Sequence, residues 1–287
     1  MTIDKKNSSM KKVLVIGDDS YIGQSFEAFA KDRFEIKMVN SRDNAWKSVD
    51  FTGYDSVLHC AGIAHVKQNK KMKPLYYEVN CDLAVEVAEK AKKEGVRQFV
   101  FLSTMAVYGT SRSEIDIETV PNPNKGDFYG GSKLKAEQEF QKLANDDFKL
   151  CIVRPPMVYG KGCKGNFPRL VKLAKKTPIF PNYKNKRSMI YIENLCSRFC
   201  GLIDKEDEGV FLPQNEDYVN TTELVRAIKG CYGKRVATTK IFNWAIWLAK
   251  RISVFEKLFG DLYYAKQGDE GEYNVVDFEE SVKRGCG

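Results

Sequence analysis

The sequence of 287 residues predicts an α/β protein built on a doubly wound parallel sheet, with a smaller C-terminal lobe. Short β-branched runs alternate with helical periodicity through the first half, a glycine turn closes the first run, and the rhythm breaks up after Gly160. The strand-like runs are 12–16, 35–39, 56–59, 98–103 and 150–154. Segments 74–94 and 132–143 are rich in Ala, Leu, Glu and Lys at helical spacing. Strand–helix–strand order requires parallel pairing with helices over the sheet. Past Gly160 the chain is punctuated by Gly162, Gly165, Pro168, Pro178 and Pro181. A first domain is therefore expected over 1–160, with roughly 186–203 returning to it, and a second lobe over 161–185 and 204–287.

Composition narrows the function. A hydrophobic fraction of 43% argues against disorder, and no apolar run approaches the ~20 residues of a membrane span. Residues 1–12 are polar and Lys-rich, unlike a secretory signal, so a soluble cytoplasmic protein is expected. Of eight cysteines, Cys60, Cys81 and Cys151 lie in apolar segments and none forms a CxxC pair, which favours reduced, buried thiols. Cys196 and Cys200 would share a helix face but have no histidine nearby, so no metal site is expected. The net charge of +8 favours an anionic small ligand, whereas nucleic-acid binding would need a basic stripe interleaved with aromatics, which is missing. Segment 240–260 is strongly apolar with a few Lys and Arg: a lid on the second lobe, or a surface for a membrane or another subunit.

The first strand runs into Gly17-Asp18-Asp19-Ser20-Tyr21-Ile22-Gly23. Gly17 permits the tight turn and Gly23 the close approach of the helix, so that the amides around Ser20, Tyr21 and Ile22 face a pyrophosphate in a Rossmann-type cleft. Ser20 stands where the middle glycine of the usual three would be, and Asp18 and Asp19 bring negative charge to a phosphate site. The second strand ends at Asn40-Ser41-Arg42. A carboxylate there would hold the ribose hydroxyl of NAD. With Asn40 in its place, and Ser41 and Arg42 able to hold a 2′-phosphate, NADP is expected over NAD. The other reading has Arg42 stacking on adenine or lying in solvent.

Ser103-Thr104 close a central strand, at the end of the sheet where open α/β proteins bind ligands. Tyr129 and Lys133 are one helical turn apart and face the same side. An ammonium beside a phenol stabilises the phenolate, and Thr104 can hydrogen-bond the same reacting oxygen. With this constellation the sequence resembles the extended short-chain dehydrogenases/reductases, in particular the nucleotide-sugar epimerase/dehydratase/reductase group. The resemblance runs from Val13 to about Leu195. It is carried by Val13 to Gly17, His59-Cys60-Ala61-Gly62, Asn80, Phe99 to Gly109, Tyr129 to Lys133, Arg154 to Gly160 and Arg187 to Asn194.

The resemblance implies that Thr104, Tyr129 and Lys133 are catalytic. It further implies that Ala61, Gly62, Asn80 and Pro156 line the cofactor, and that Lys133 also binds the nicotinamide ribose. Asn166, Phe167, Ile179 and Phe180 would hold the nucleotide of a nucleotide-diphosphate sugar, and Arg187 its diphosphate, although Phe167, Ile179 and Phe180 could equally be core. It also implies a homodimer paired through helices 74–94 and 132–143. Family dehydratases carry an acid directly after the catalytic Thr, whereas Met105 and Ala106 follow Thr104 here. The leading expectation is NADPH-dependent reduction of a UDP-linked 4-keto sugar, a 2-acetamido-2,6-dideoxyhexulose for surface polysaccharide. An NAD-dependent 4-epimerase is the alternative, and a non-catalytic dinucleotide sensor the lesser one.

Overall fold

A computed structural model describes residues 10–64, 69–241, 243–249 and 253–287. Six parallel strands form the central sheet: β1 (Lys12–Ile16), β2 (Glu35–Val39), β3 (Ser56–His59), β4 (Gln98–Leu102), β6 (Lys149–Val153) and β10 (Gly209–Phe211). Their order is β10-β6-β4-β3-β1-β2. Strands β5 (Glu114–Ile115), β7 (Met157–Tyr159), β8 (Ile179–Pro181), β9 (Met189–Tyr191), β11 (Ala237–Thr239) and β12 (Tyr263–Tyr264) make three small parallel pairs: β5 with β12, β7 with β9, and β8 with β11. The first five sheet strands start and stop within a residue of the β-branched runs. β10 has no such run, and it carries the chain's return to the sheet past residue 203.

Side chains alternate across the sheet with period two, and both faces are covered. Val13, Val15, Val100 and Val153 pack on one side with α1 (Tyr21–Ala30) and α6 (Ile192–Lys205). Leu14, Ile16, Val57, Phe99 and Phe101 pack on the other with α3 (Leu83–Lys93) and α4 (Phe128–Phe140). The remaining helices are α5 (Asn166–Lys176), α7 (Thr221–Cys231), α8 (Asn243–Ala249), α9 (Ser253–Phe259), α10 (Glu270–Tyr273) and α11 (Phe278–Cys286).

Segment 74–94 is not one regular helix. It is α2 (Lys73–Tyr77), a π-helical turn over Glu78–Asp82, and α3. A π-turn holds one extra residue, a change that hydrophobic periodicity does not register. Here it carries Asn80 and Cys81, both buried. Buried amides tie α6 to the segments that follow it. Asn194 Nδ2 donates to Asn215 Oδ1 (3.1 Å), Asn274 Oδ1 (2.8 Å) and Val276 O (3.0 Å). Asn215 in turn donates to the Tyr159 hydroxyl (3.0 Å), which is 2.6 Å from Ser281 Oγ.

Among the described residues no helix is long and apolar enough to cross a membrane. Within segment 240–260, Phe242, Lys250, Arg251 and Ile252 lie outside the described residues, as do His65 to Gln68.

Candidate active site

The sheet order changes direction between β1 and β3, since β2 lies outside β1 and the next strand lies on the opposite side. The carboxyl ends of these two strands open the crevice where such folds bind ligands. Gly17 has a φ of +112°, and a Cβ on it would stand 2.8 Å from Ala61 N. A Cβ on Gly23 would stand 2.9 Å from Gly17 O, and one on Gly62 would meet Asn80 Oδ1 at 2.9 Å and Lys133 Nζ at 3.3 Å. Only glycine lets the β1–α1 turn, the β3 end and the π-turn approach this closely. Such a cradle fits a dinucleotide pyrophosphate. Ser20 caps α1 by accepting from Gly23 N at 3.4 Å, replacing one open amide with a hydroxyl.

The end of β2 is self-paired. Asn40 Nδ2 donates to Asp18 Oδ1 (3.0 Å), and Asn40 Oδ1 accepts from Arg42 N (2.7 Å). The exposed Arg42 guanidinium forms an ion pair with Asp19, and Ser41 is half-buried beside it. The two aspartates that looked out of place in a phosphate loop thus hold the residues expected to read the ribose.

Thr104 and Tyr129 are brought together by a glycine contact. A Cβ on Gly130 would lie 2.6 Å from Ala106 O, so α4 can press on the turn Met105–Tyr108 only with glycine there. Asp127 caps α4 by accepting from Tyr129 N (3.1 Å) and Gly130 N (3.2 Å). Thr104 Oγ1 accepts from Ala106 N (3.2 Å). Burial pushes the Tyr129 pKa up to about 12, and the neighbouring Thr104 side chain offsets part of that rise. The phenol is therefore protonated at neutral pH.

Lys133 is almost fully buried. Its Nζ donates to Leu102 O (2.9 Å) and lies 4.4 Å from the centre of the Phe101 ring. Burial lowers its pKa to about 8. Its charge also acts on the neighbouring His59 and Cys60. The charges acting on Tyr129 are instead those of Asp127 and Tyr76. Asn80 locks the adjoining loop: Oδ1 accepts from Ile63 N (2.8 Å), while Nδ2 donates to Ile63 O (3.0 Å) and Ser132 Oγ (3.1 Å).

One buried group stood in plain sight in the sequence. Glu137 follows Tyr129 and Lys133 by one more helical turn, on the same face of α4. It accepts from Ser103 Oγ and pairs with the guanidinium of Arg154, whose Nε lies at 3.1 Å. Arg154 Nη1 also donates to the Tyr108 hydroxyl at 2.6 Å. This network ties β4, α4 and the Arg154–Pro156 segment into one unit, with Pro156 buried. His59 is fully buried between Phe99 and Phe101, and neither ring nitrogen has a hydrogen-bond partner. Burial, reinforced by Lys133, lowers its pKa to about 3.

Residues expected to hold the nucleotide are spread out. Phe167 packs in the main core, its ring 5.1 Å from that of Tyr159, and Phe180 packs against Phe259 at 5.8 Å. These two follow the core reading. Ile179 is 52% exposed on β8, and Asn166 is exposed at the start of α5. Arg187 Nη1 donates to Gly260 O (3.0 Å), beyond the end of α9, and burial lowers its pKa. Tyr21 places its hydroxyl in a buried position without a partner, where a Cβ on Gly160 would lie 2.6 Å away, and Ile22 is half-buried on α1.

A glycine cradle at the switch point of a parallel sheet, with a hydroxyl pair and a buried lysine at the next strand end, defines a dinucleotide-binding enzyme fold of the short-chain dehydrogenase kind. Residues 4–219 match the NAD dependent epimerase/dehydratase family, and the chain belongs to it. The sequence is 36% identical over 213 residues to a UDP-glucose 4-epimerase of Vibrio cholerae, a stretch covering 71% of this chain and 63% of that protein. The chain thus spans less than two thirds of this relative's length. Its fold matches the UDP-glucuronic acid 4-epimerase of Bacillus cereus, solved with NAD, at a TM-score of 0.72 and 17% identity over 96% of this chain and 97% of that one. It also matches the dTDP-4-dehydrorhamnose reductase of Bacillus anthracis, solved with NADP, at 0.69 and 20% over 96% and 99%.

Proposed function

We propose that the protein is a cytoplasmic enzyme that reduces the 4-keto group of a UDP-linked 2-acetamido-2,6-dideoxyhexulose, with NADPH as reductant, for surface polysaccharide. The observation that carries this reading is the convergence of the Thr104 hydroxyl at the end of β4 and the Tyr129 phenol at the start of α4, pressed together where Gly130 meets Ala106. A phenol that starts protonated is a proton donor, as reduction of a carbonyl requires, whereas oxidising a sugar hydroxyl first requires a base. Thr104 orients the carbonyl oxygen and Tyr129 protonates it. Gly17, Gly23, Ala61, Gly62 and Lys133 hold the dinucleotide, which supplies the hydride. Met105 is buried and Ala106 carries no acid, so nothing next to Thr104 can drive elimination of water. Arg187 and the exposed Asn166 remain the groups proposed for the diphosphate and the base. Two copies are proposed to pair through α2, α3 and α4.

A second reading, 4-epimerisation with retained NAD, is favoured by one specific observation. Asp19 already neutralises Arg42, so a 2′-phosphate would have to displace a carboxylate. The epimerases among the relatives point the same way. Supplied with NADPH and a UDP-linked 4-keto-6-deoxy sugar, the protein is expected to consume one NADPH per sugar reduced. Interconversion of UDP-hexoses at C4 without net NADPH consumption would replace reduction with epimerisation.

A further inference from the structure

Helix α8 and the turn before it carry apolar side chains that are exposed among the described residues. Ile241, Trp244 and Leu248 are 74%, 68% and 62% exposed. Trp244 and Leu248 are four residues apart on α8 and so share one side of it, and Ile241 lies in the turn that precedes it. Phe255, seven residues further on, is also exposed. The opposite side of α8 is anchored: Ile246 is buried in the core, and Asn243 Nδ2 donates to Asn182 O at 2.9 Å. The exposed face is therefore a surface of a docked element.

The stretch of sequence that carries this face is basic. The 32 residues 226–257 contain eight Lys and Arg but a single acidic residue, Glu256. A ninth of the chain thus carries a net +7 of its total of +8. Arg226, Lys234, Arg235 and Lys240 are exposed. Both the basic excess and the aromatic and aliphatic face are features of helices that lie in the plane of a membrane interface.

We propose that this surface docks on an anionic lipid bilayer. The helix α8 lies in the interface plane, with Trp244 and Leu248 among the upper acyl chains and the exposed Arg226, Lys234, Arg235 and Lys240 toward the headgroup phosphates. A second copy of the chain is a poor occupant, because a two-fold contact sets each patch against itself and would bring two basic surfaces together. The inference stands apart from the reaction proposed above, since none of these residues contributes to the Thr104–Tyr129–Lys133 site.

The test is co-sedimentation of the full chain with vesicles of phosphatidylcholine alone or with a quarter of phosphatidylglycerol. Binding is expected to be about tenfold stronger or more on the anionic vesicles, to weaken as salt rises, and to be lost in the double variant Trp244→Glu with Leu248→Glu. Both substitutions are on exposed positions, and unchanged circular dichroism and dinucleotide affinity establish that the variant is folded. Absence of binding by the wild-type chain to anionic vesicles would overturn the proposal. So would equal binding by the folded variant. If the wild-type chain ignored vesicles but the variant changed its mass in solution, the face would be an interface between copies, and the lipid assignment would be wrong.

Discussion

The two sides of the dinucleotide crevice are built by opposite means. At the reaction end the polar groups are buried or half-buried, and their partners belong to the protein: Asn80 with Ile63 and Ser132, Lys133 with Leu102, Glu137 with Arg154. At the end of β2, Asn40 and Arg42 are partly or wholly exposed and rest on Asp18 and Asp19. Buried polar groups are costly when unpaired, so their geometry is set before anything binds. Exposed pairs contribute little and exchange partners with solvent and ligand at small cost. On the function proposed above, the chemistry is set by buried, self-paired groups, while the choice of cofactor rests on the exposed Arg42–Asp19 contact.

The contrast can be broken most directly at Tyr129. Tyr129→Phe should lower turnover by roughly 10²–10⁴-fold, the range for a lost general acid, while calorimetry shows dinucleotide binding intact. A variant retaining more than about a tenth of the rate would remove Tyr129 from the chemistry. Next in size is Glu137→Ala, which leaves the buried Arg154 cation without its carboxylate. Urea unfolding should show a loss of about 3–5 kcal/mol, and a loss below about 1 kcal/mol would mean that the pair is solvated.

His59 gives a pH-dependent test of the same side. Its folded pKa is about 3, against an ordinary value of 6.5, so the unfolded chain takes up a proton that the native state refuses. Its contribution to stability is complete above pH 6.5 and is lost as pH falls toward 3, by up to about 1.4 kcal/mol per pH unit. His59→Leu should flatten this acid limb relative to wild type; parallel curves would show that His59 is accessible to protons in the native state.

The smallest effects belong to the β2 end. Arg42→Ala should leave the unfolding midpoint nearly unchanged and weaken NADPH more than NADH. Asp19→Asn should do the reverse and tighten NADPH several-fold by freeing the guanidinium. Equal changes for both cofactors in both variants would show that Arg42 does not read the 2′-phosphate.

How much of this was legible in the sequence follows from the range over which each feature is determined. The first five sheet strands are short β-branched runs between turns, and local pattern suffices for them. Gly17 and Gly23 were readable as a phosphate turn from their place between a strand and a helix, whereas Gly62 was reached only through the family resemblance, because its close approach to Asn80 and Lys133 is set by the fold. Glu137 could have been found from its i+4 step beyond Lys133, had the stripe been followed one turn further. The partners of Asn194 could not, because Asn215, Asn274 and Val276 lie 21 to 82 positions away and amides carry no periodic signature. Phe167 and Phe180 illustrate the opposite difficulty: an aromatic residue in a loop-rich segment reads the same whether it fills a core or lines a nucleotide site.

The π-turn at Glu78–Asp82 is where this helix carries one residue more than an α-helix needs. A one-residue deletion in the regular part of α3 would turn everything beyond it by about 100° and carry Val87, Ala88 and Ala91, now buried against the sheet, toward solvent. A deletion in the π-turn would instead remove the surplus residue and close an ordinary α-turn, leaving the buried stripes of α2 and α3 in register. What that deletion would break is local: the bulged residues include Asn80, which holds Ile63 and Ser132. The length of the helix is therefore adjustable at the π-turn without loss of the core, and a shortened variant should stay folded while losing the anchored loop beside the cofactor site.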